Sequence, residues 1–147
     1  MLHIRAKFQH SHDLLINHHF KYFLNLTYIR LCHAYDGEQQ HFEESGFQKL
    51  KELLLGKLDG LKVMKIDRGV LPLLEGFKVE ACLLMQEIPS NIEQLTSLKF
   101  LKIKDMPSEF MAGLQPNGGS NYSKIKHIPS VAIQYKHGGW ITFQSYK

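Results

Sequence analysis

The stretch Leu74–Leu98, with the sequence LEGFKVEACLLMQEIPSNIEQLTSL, sets the pattern of this chain. Its first half has the form L-x-x-F-x-V-x-x-C, a spacing that fits neither a helical period nor a simple strand alternation. Its second half, from Ile88-Pro89 onward, returns the chain to Leu98. Because 44% of the chain is hydrophobic, one such pattern could arise by chance. Its meaning therefore depends on whether it recurs.

The pattern recurs at a constant period. The first leucines of the copies are Leu26, Leu50, Leu74 and Leu98, so each copy begins 24 positions after the previous one. Three positions after each of them stand Ile29, Leu53, Phe77 and Leu101. Five positions after them stand Leu31, Leu55, Val79 and Ile103. This form and this period are typical of leucine-rich repeats, whose units contain about 20 to 29 residues.

The repeat predicts an α/β fold, a leucine-rich-repeat solenoid of about four 24-residue units over residues 26–121. In a strand with the pattern L-x-x-L-x-L, the consensus side chains point into the stack and the variable ones point outward. No unit can bury its apolar side alone, so neighbouring units must stack and their strands form a short parallel sheet on the concave face. We therefore expect the segments 29–31, 53–55, 77–79 and 101–103 to be adjacent parallel strands with buried consensus residues.

Between these strands the sequence is less regular. Residues 34–50 are interpreted as a polar connection with an Asp36-Gly37 turn and two apolar anchors, Phe42 and Phe47. A short helix is predicted near Phe110, before a turn or flexible loop over residues 115–120.

Both ends depart from the repeat. Residues 1–25 are predicted to be a degenerate partial repeat, with a short helix capped by Ser11 or Asp13, because Arg5 and Lys7 occupy the apolar strand positions. Residues 122–147 are predicted to be a capping segment. Their two β-like runs, joined by a turn containing glycine, favour a hairpin that covers the open end of the stack.

The outward strand positions form a mixed-charge, mildly basic surface, the kind of extended face through which solenoids bind partners. The predicted protein-binding residues of this concave face are Tyr28, Arg30, His33, Glu52, Lys57, Lys78, Glu80, Phe100, Lys102 and Lys104. At any single position, a merely solvated strand residue is the more common alternative, because a few residues dominate a typical interface.

Other classes of function find little support. The chain has no phosphate loop, G-x-S-x-G, H-E-x-x-H or C-x-x-C motif, so we expect no enzyme and no cofactor. We interpret the histidines near the start of the chain, His10, His12, His18 and His19, as surface residues, because no ligand set converges on them. Cys32 and Cys82 could close one disulfide, but the repeat position of Cys82 favours a buried structural thiol.

The charge and hydrophobicity of the chain also bear on its partners and its location. The formal charge of +4 comes from scattered lysines, which gives little support to nucleic-acid binding. The sequence contains no apolar run long enough for a membrane span and no signal peptide at its start. We therefore expect a soluble, cytoplasmic protein without a membrane span.

Several segments outside the repeat consensus carry a family resemblance. They are Ala34–Glu38 (AYDGE), His41–Glu44 (HFEE), Gly46–Lys51 (GFQKLK), Lys65–Gly69 (KIDRG), Ile88–Ile92 (IPSNI), Leu114–Gly119 (LQPNGG) and Lys124–Val131 (KIKHIPSV). Together with the repeats, they resemble the C-terminal leucine-rich-repeat region of plant coiled-coil, nucleotide-binding disease-resistance proteins. The resemblance extends from about Leu26 to Val131.

The resemblance implies a recognition or regulatory role in plant defence, with a pathogen effector or a host protein as the partner. We expect the protein to lack the nucleotide-binding and signalling domains of that family, so the resemblance implies no nucleotide switch. Three hypotheses remain: a defence-related interaction module, a truncated structural remnant of a resistance protein with no independent activity, and an enzyme or nucleic-acid binder, which has little support.

Overall fold

The computed structural model describes residues 2–4, 25–33, 38–42, 47–135 and 139–143. These residues form nine strands, two short α-helices and one 3₁₀ turn. The strands are β1 (Leu2–Ile4), β2 (Tyr28–Cys32), β3 (Gln39–Phe42), β4 (Glu52–Gly56), β5 (Val63–Ile66), β6 (Gly76–Glu80), β7 (Phe100–Lys104), β8 (Ser130–Gln134) and β9 (Trp140–Phe143). The helices are α1 (Ser108–Gly113) and α2 (Tyr122–Ile125), and the 3₁₀ turn is Ile92–Gln94.

A seven-stranded sheet, here called the large sheet, forms one side of the molecule. Its strand order is β1-β2-β4-β6-β7-β8-β9. Its strands from β1 to β8 are parallel, and β9 is antiparallel to β8. The predicted parallel pairing of the four repeat strands is therefore confirmed.

The register of the large sheet follows the sequence period. Leu53 of β4 lies opposite Phe77 of β6, and Phe77 lies opposite Leu101 of β7, so each residue pairs with its counterpart in the next copy. The spacing between paired residues widens at the two ends. There Leu2 pairs with Ile29, and Leu101 pairs with Val131.

The first strand precedes the residues at which the sequence pattern of a strand was weak. Arg5 and Lys7 led to the expectation of a poor first strand, but β1 is formed by Leu2–Ile4, which alternates apolar and polar residues in the same way as β2. The helix predicted after Ser11 or Asp13, and the four histidines of this region, lie outside the described residues.

A second, two-stranded sheet was not predicted. Strands β3 and β5 pair in parallel with the same offset along the chain, from Gln39 opposite Val63 to Phe42 opposite Ile66. The apolar anchors Phe42 and Phe47 are both buried as expected, with ring centroids 5.6 Å apart in an edge-to-face arrangement. The supposed polar connection thus contains a strand, which its mixed composition concealed.

A left-handed residue follows each of the four central strands of the large sheet. These residues are His33, Lys57, Ala81 and Asp105, with φ between 51° and 55°. Each backbone N–H donates to the carbonyl of the last residue of the next strand, at 2.9 to 3.2 Å. The chain therefore leaves the sheet in the same way each time, at a conformational cost of about 1 kcal/mol per non-glycine residue.

The core lies beneath the large sheet and is filled by the consensus side chains. The alternate inward residues of β2, β4, β6, β7 and β8 are 2% exposed or less. They are Ile29, Leu31, Leu53, Leu55, Phe77, Val79, Leu101, Ile103, Val131 and Ile133. Helix α1 adds Phe110 to the same cluster, at the place where a short helix was predicted.

Cys82 also belongs to the core. Its side chain is fully buried, its backbone N–H donates to the Met106 sulfur at 3.4 Å, and its thiol donates to the Glu80 carbonyl at 3.5 Å. Burial raises the pKa of the Cys82 thiol from 9.0 to about 11. The predicted buried structural thiol is confirmed, and neither Cys82 nor Cys32 is in a disulfide.

Candidate protein-binding face

The surface of the large sheet opposite the core is here called the open face. It consists of the alternate, outward positions of β2, β4, β6, β7 and β8. They are Tyr28, Arg30, Cys32, Glu52, Leu54, Gly56, Gly76, Lys78, Glu80, Phe100, Lys102, Lys104, Ser130, Ala132 and Gln134. Since neighbouring strands in a sheet lie about 4.8 Å apart, these residues form rows across the sheet as well as columns along it.

Eight of the ten residues predicted for the binding face occupy open-face positions. The other two, His33 and Lys57, lie one residue beyond β2 and β4, at the left-handed turns. Both are exposed and line the rim of the face. The sequence placed them on the strands because the turn that ends each strand leaves no signal when the residue is neither glycine nor asparagine.

The sequence reasoning missed four open-face residues of the central strands. They are Cys32, Leu54, Gly56 and Gly76. Strict alternation with the consensus positions would have found them, because every second residue of a strand shares a face. Their side chains are apolar or absent and give no sign of a polar surface, so these residues were not predicted to belong to the binding face.

Gly76 creates the space for the main aromatic residue of the face. A Cβ atom at position 76 would lie 2.1 Å from Cζ of Phe100 on the next strand, which no side chain could occupy without moving the ring. The Phe100 ring therefore lies across the bare backbone of β6. The face consequently has a half-buried aromatic group in its first outward row.

Two lysines flank this ring. The Nζ atoms of Lys78 and Lys102 are each 5.8 Å from the centroid of Phe100. An ammonium group within about 6 Å of an aromatic centroid is attracted to the negative face of the ring. Lys78, Phe100 and Lys102 are here called the lysine–phenylalanine cluster.

The charged residues next to this cluster are partly paired. Lys104 Nζ lies 3.9 Å from Glu80 Oε1 across the β6–β7 boundary, and both side chains are at least one-third exposed. A depression of about 270 Å³ lies beside the pair, lined by Leu54, Lys78, Val79, Glu80, Lys102 and Lys104. Its lining combines two aliphatic residues with three lysines and one glutamate.

A second depression, of about 280 Å³, lies at the rim where β2, β4 and β6 end. It is lined by Arg30, Cys32, His33, Gly56, Lys57 and Glu80. The Arg30 Nε donates to the Cys32 sulfur at 3.3 Å, and this hydrogen bond raises the pKa of the Arg30 guanidinium above its ordinary value. Gly56 leaves room for that sulfur, since a Cβ there would lie 3.0 Å from it.

Other surfaces carry separate features. Leu83 and Leu84, in the turn after β6, are 62% and 47% exposed. On the side of the small sheet, His41 Nε2 lies 2.6 Å from Asp67 Oδ1 and links β3 to the end of β5. A cavity of about 420 Å³ adjoins β5, with Val63, Met64 and Ile88 among its apolar lining residues.

Within the described residues, no group of three or more His, Cys, Asp or Glu side chains could hold a metal ion. In the same part of the chain, none of the helices has the length and apolar character needed to span a bilayer.

Comparison with known proteins relates the chain to plant disease-resistance proteins. It is 33% identical over 109 residues to disease resistance protein RPP8 of Arabidopsis thaliana, a match that covers 74% of this chain and 12% of that protein. It is 34% identical over 98 residues to disease resistance protein RPH8A of the same plant, covering 67% of this chain and 11% of that protein.

A third relative is disease resistance protein RPM1 of Arabidopsis thaliana, 28% identical over 111 residues, which are 76% of this chain and 12% of that protein. The chain thus spans about 12% of the length of these curated relatives. No family model and no solved structure matches it.

Proposed function

Because the chain is homologous to a segment of plant disease-resistance proteins, we propose that it is a leucine-rich-repeat solenoid that binds a protein partner in plant defence. The open face is then the concave recognition surface. The module is non-catalytic and needs no cofactor, and its partner is a pathogen effector or a host protein. We place its action in the cytoplasm, as the resemblance to intracellular resistance proteins implies.

The solenoid part of the proposal is supported by two sheets that follow the same period. Both the large sheet and the β3–β5 pair join residues 24 positions apart, so the units that contain β2 and β4 each contribute one strand to each sheet. A bridge between Lys65 and Ser90 extends the second sheet towards the next unit. Units that stack with one offset on both sides are expected of a coil of repeats.

One observation supports the proposal that the open face binds a protein. It is the contrast between the buried and the outward positions of strands that pair in register. The buried positions hold aliphatic or aromatic residues in every central strand. The outward positions differ from strand to strand. The first outward row, for example, contains Tyr28, Glu52, Gly76, Phe100 and Ser130. A scaffold needs uniform residues inside, whereas recognition needs varied ones outside.

The proposal can be tested by proximity labelling in plant cells. The full chain is fused to a biotin ligase and compared with an open-face variant, Phe100→Ala/Lys102→Ala, and a matched control, Lys51→Ala/Thr96→Ala, whose residues are exposed and off the face. We expect the control to retain the labelled proteins and the open-face variant to lose some of them. Identical labelling by all three proteins would contradict a role for the face.

The alternative, a structural remnant with no activity, is tested on the purified chain. A cooperative thermal transition of a monomer, followed by circular dichroism and light scattering, is expected of an independent module. Aggregation, or the absence of a transition, would favour the remnant.

A further inference from the structure

The lysine–phenylalanine cluster contains a charge arrangement that does not help the chain to fold. Lys78 and Lys102 are direct partners in the register of β6 and β7 and lie on the same face. Like charges opposite each other on neighbouring strands are destabilising. Opposite charges pair on both sides of them, since Lys104 lies near Glu80 within the two strands and Lys99 lies near Glu75 just before the strands begin. Among the described residues, no carboxylate forms an ion pair with Lys78 or Lys102.

The two lysines also share one aromatic contact. Both ammonium groups lie 5.8 Å from the centroid of the Phe100 ring, which itself lies over the bare backbone of Gly76. The attraction of both ammonium groups to the same ring favours positions in which the two positive charges are close together. Local rules of charge pairing are typically broken at functional sites, and a pre-organised site binds more tightly than a flexible one.

The surroundings indicate what such a site would bind. The depression of about 270 Å³ next to the lysines has Leu54 in its lining, which offers an apolar contact. Acidic residues lie near the cluster on the same face, since Glu80 follows Lys78 by two positions on β6 and Glu52 of β4 lies opposite Gly76. These acidic neighbours would repel the continuous negative charge of a nucleic-acid backbone more than they would repel a single carboxylate.

We propose that a partner places one Asp or Glu carboxylate between Lys78 and Lys102, while an apolar side chain of the same segment packs on Leu54. The carboxylate relieves the repulsion between the two ammonium groups and accepts charge-assisted hydrogen bonds from both. The ligand class is therefore a short acidic–apolar peptide segment of a protein. This inference rests on the proposed function, because it names the chemistry recognised by the same open face.

A phage-displayed library of random short peptides, selected on the immobilised full chain, tests the proposal. We expect the selected peptides to contain an Asp or Glu next to an apolar residue. Synthetic copies should bind about tenfold more weakly, or worse, when that residue is changed to Asn or Gln, and they should also weaken as the salt concentration rises.

The protein variants complete the test. Lys78→Glu/Lys102→Glu should lose binding by a similar factor, while the matched control Lys51→Glu/Lys126→Glu, at exposed positions off the face, should retain it. Thermal melts of both variants check that each is folded. The peptide substitutions leave the protein unchanged, so the test does not depend on either variant.

The outcomes separate this inference from the proposed function. Selected peptides without acidic residues that still lose binding to open-face variants would overturn the carboxylate site and leave the protein-binding face standing. Peptides insensitive to every open-face change, or no selected peptides at all, would overturn the inference and count against the face. Tight, salt-dependent binding of single-stranded DNA lost in Lys78→Glu/Lys102→Glu would reassign the cluster to nucleic acid.

Discussion

The two faces of the large sheet are built from alternate residues of the same strands, yet they differ in every other respect. On the buried face, the paired positions hold Leu53, Phe77 and Leu101, all 1% exposed or less. On the open face, the neighbouring row holds Leu54, Lys78 and Lys102, with two like charges side by side. The comparison shows that one register can carry both a uniform core and a varied surface, because successive side chains point to opposite sides.

The largest effect on stability is expected from a substitution on the buried face. Phe77→Ala should lower the free energy of unfolding by about 3–5 kcal/mol, because it leaves a cavity beneath the sheet. The adjacent open-face change Lys78→Ala is the control and should cost less than about 1 kcal/mol. Urea denaturation of both variants measures the difference. Similar losses for the two variants would mean that the faces do not differ as described.

The buried thiol of Cys82 makes the stability of the protein depend on pH. The thiol of Cys82 is protonated and neutral in the folded state, and burial raises its pKa from 9.0 to about 11. Its contribution to stability is therefore complete below pH 9 and is lost as the pH rises from about 9 towards 11, by roughly 3 kcal/mol. The advantage of the wild type over Cys82→Ala, measured by denaturation at each pH, should shrink across that interval. A difference independent of pH would contradict the buried thiol.

Alkylation gives an independent readout of the same contrast. Iodoacetamide at neutral pH should modify the half-buried Cys32 of the open face and spare Cys82 until the protein unfolds. Mass spectrometry of tryptic peptides identifies the modified residue.

A smaller effect concerns the packing of the open face. Gly76→Ala should cost about 1 kcal/mol, because the new methyl group meets the Phe100 ring. In a Phe100→Ala background the same change should be neutral or slightly stabilising, since alanine suits a strand better than glycine. A double-mutant cycle measures the coupling between the two positions. Equal effects in both backgrounds would show that the ring does not lie over Gly76.

The smallest effect tests the charge arrangement. Lys102→Glu removes a like charge opposite Lys78, whereas Lys104→Glu creates one opposite Glu80. The first variant should therefore be the more stable of the two, by about 0.5–1 kcal/mol at low salt. The difference should shrink at high salt, about 1 M NaCl, because exposed charges are screened. The reverse order would remove the argument that Lys78 and Lys102 repel each other.

The period of the sequence was sufficient to predict β2, β4, β6 and β7, their pairing and their buried residues. This succeeded because burial demands the same residue type at the same offset in every unit. It was not sufficient for β3, a short strand made mostly of polar residues, whose buried Gln40 gives no hydrophobic signal. Such a strand is specified by its partner β5 rather than by its own composition.

The candidate site was predictable in outline and not in detail. Alternation identifies which residues share a face, but the positions of His33 and Lys57 depend on left-handed turns that these residue types rarely adopt. The lysine–phenylalanine cluster needs the register of two strands and the space above Gly76 at once. Neither the register nor this space can be inferred from the sequence of one strand alone.

The left-handed turns have a consequence for the gene. Each central strand leaves the sheet by the same turn, and neighbouring central strands pair at an offset of 24 residues. We therefore expect that removing or duplicating 24 codons would join one strand to the next without disturbing either register. The wider spacings at the ends, between Leu2 and Ile29 and between Leu101 and Val131, show that the intervening segment can also lengthen while the strands still pair. Unequal recombination between copies would therefore yield chains that fold while presenting new combinations of outward residues.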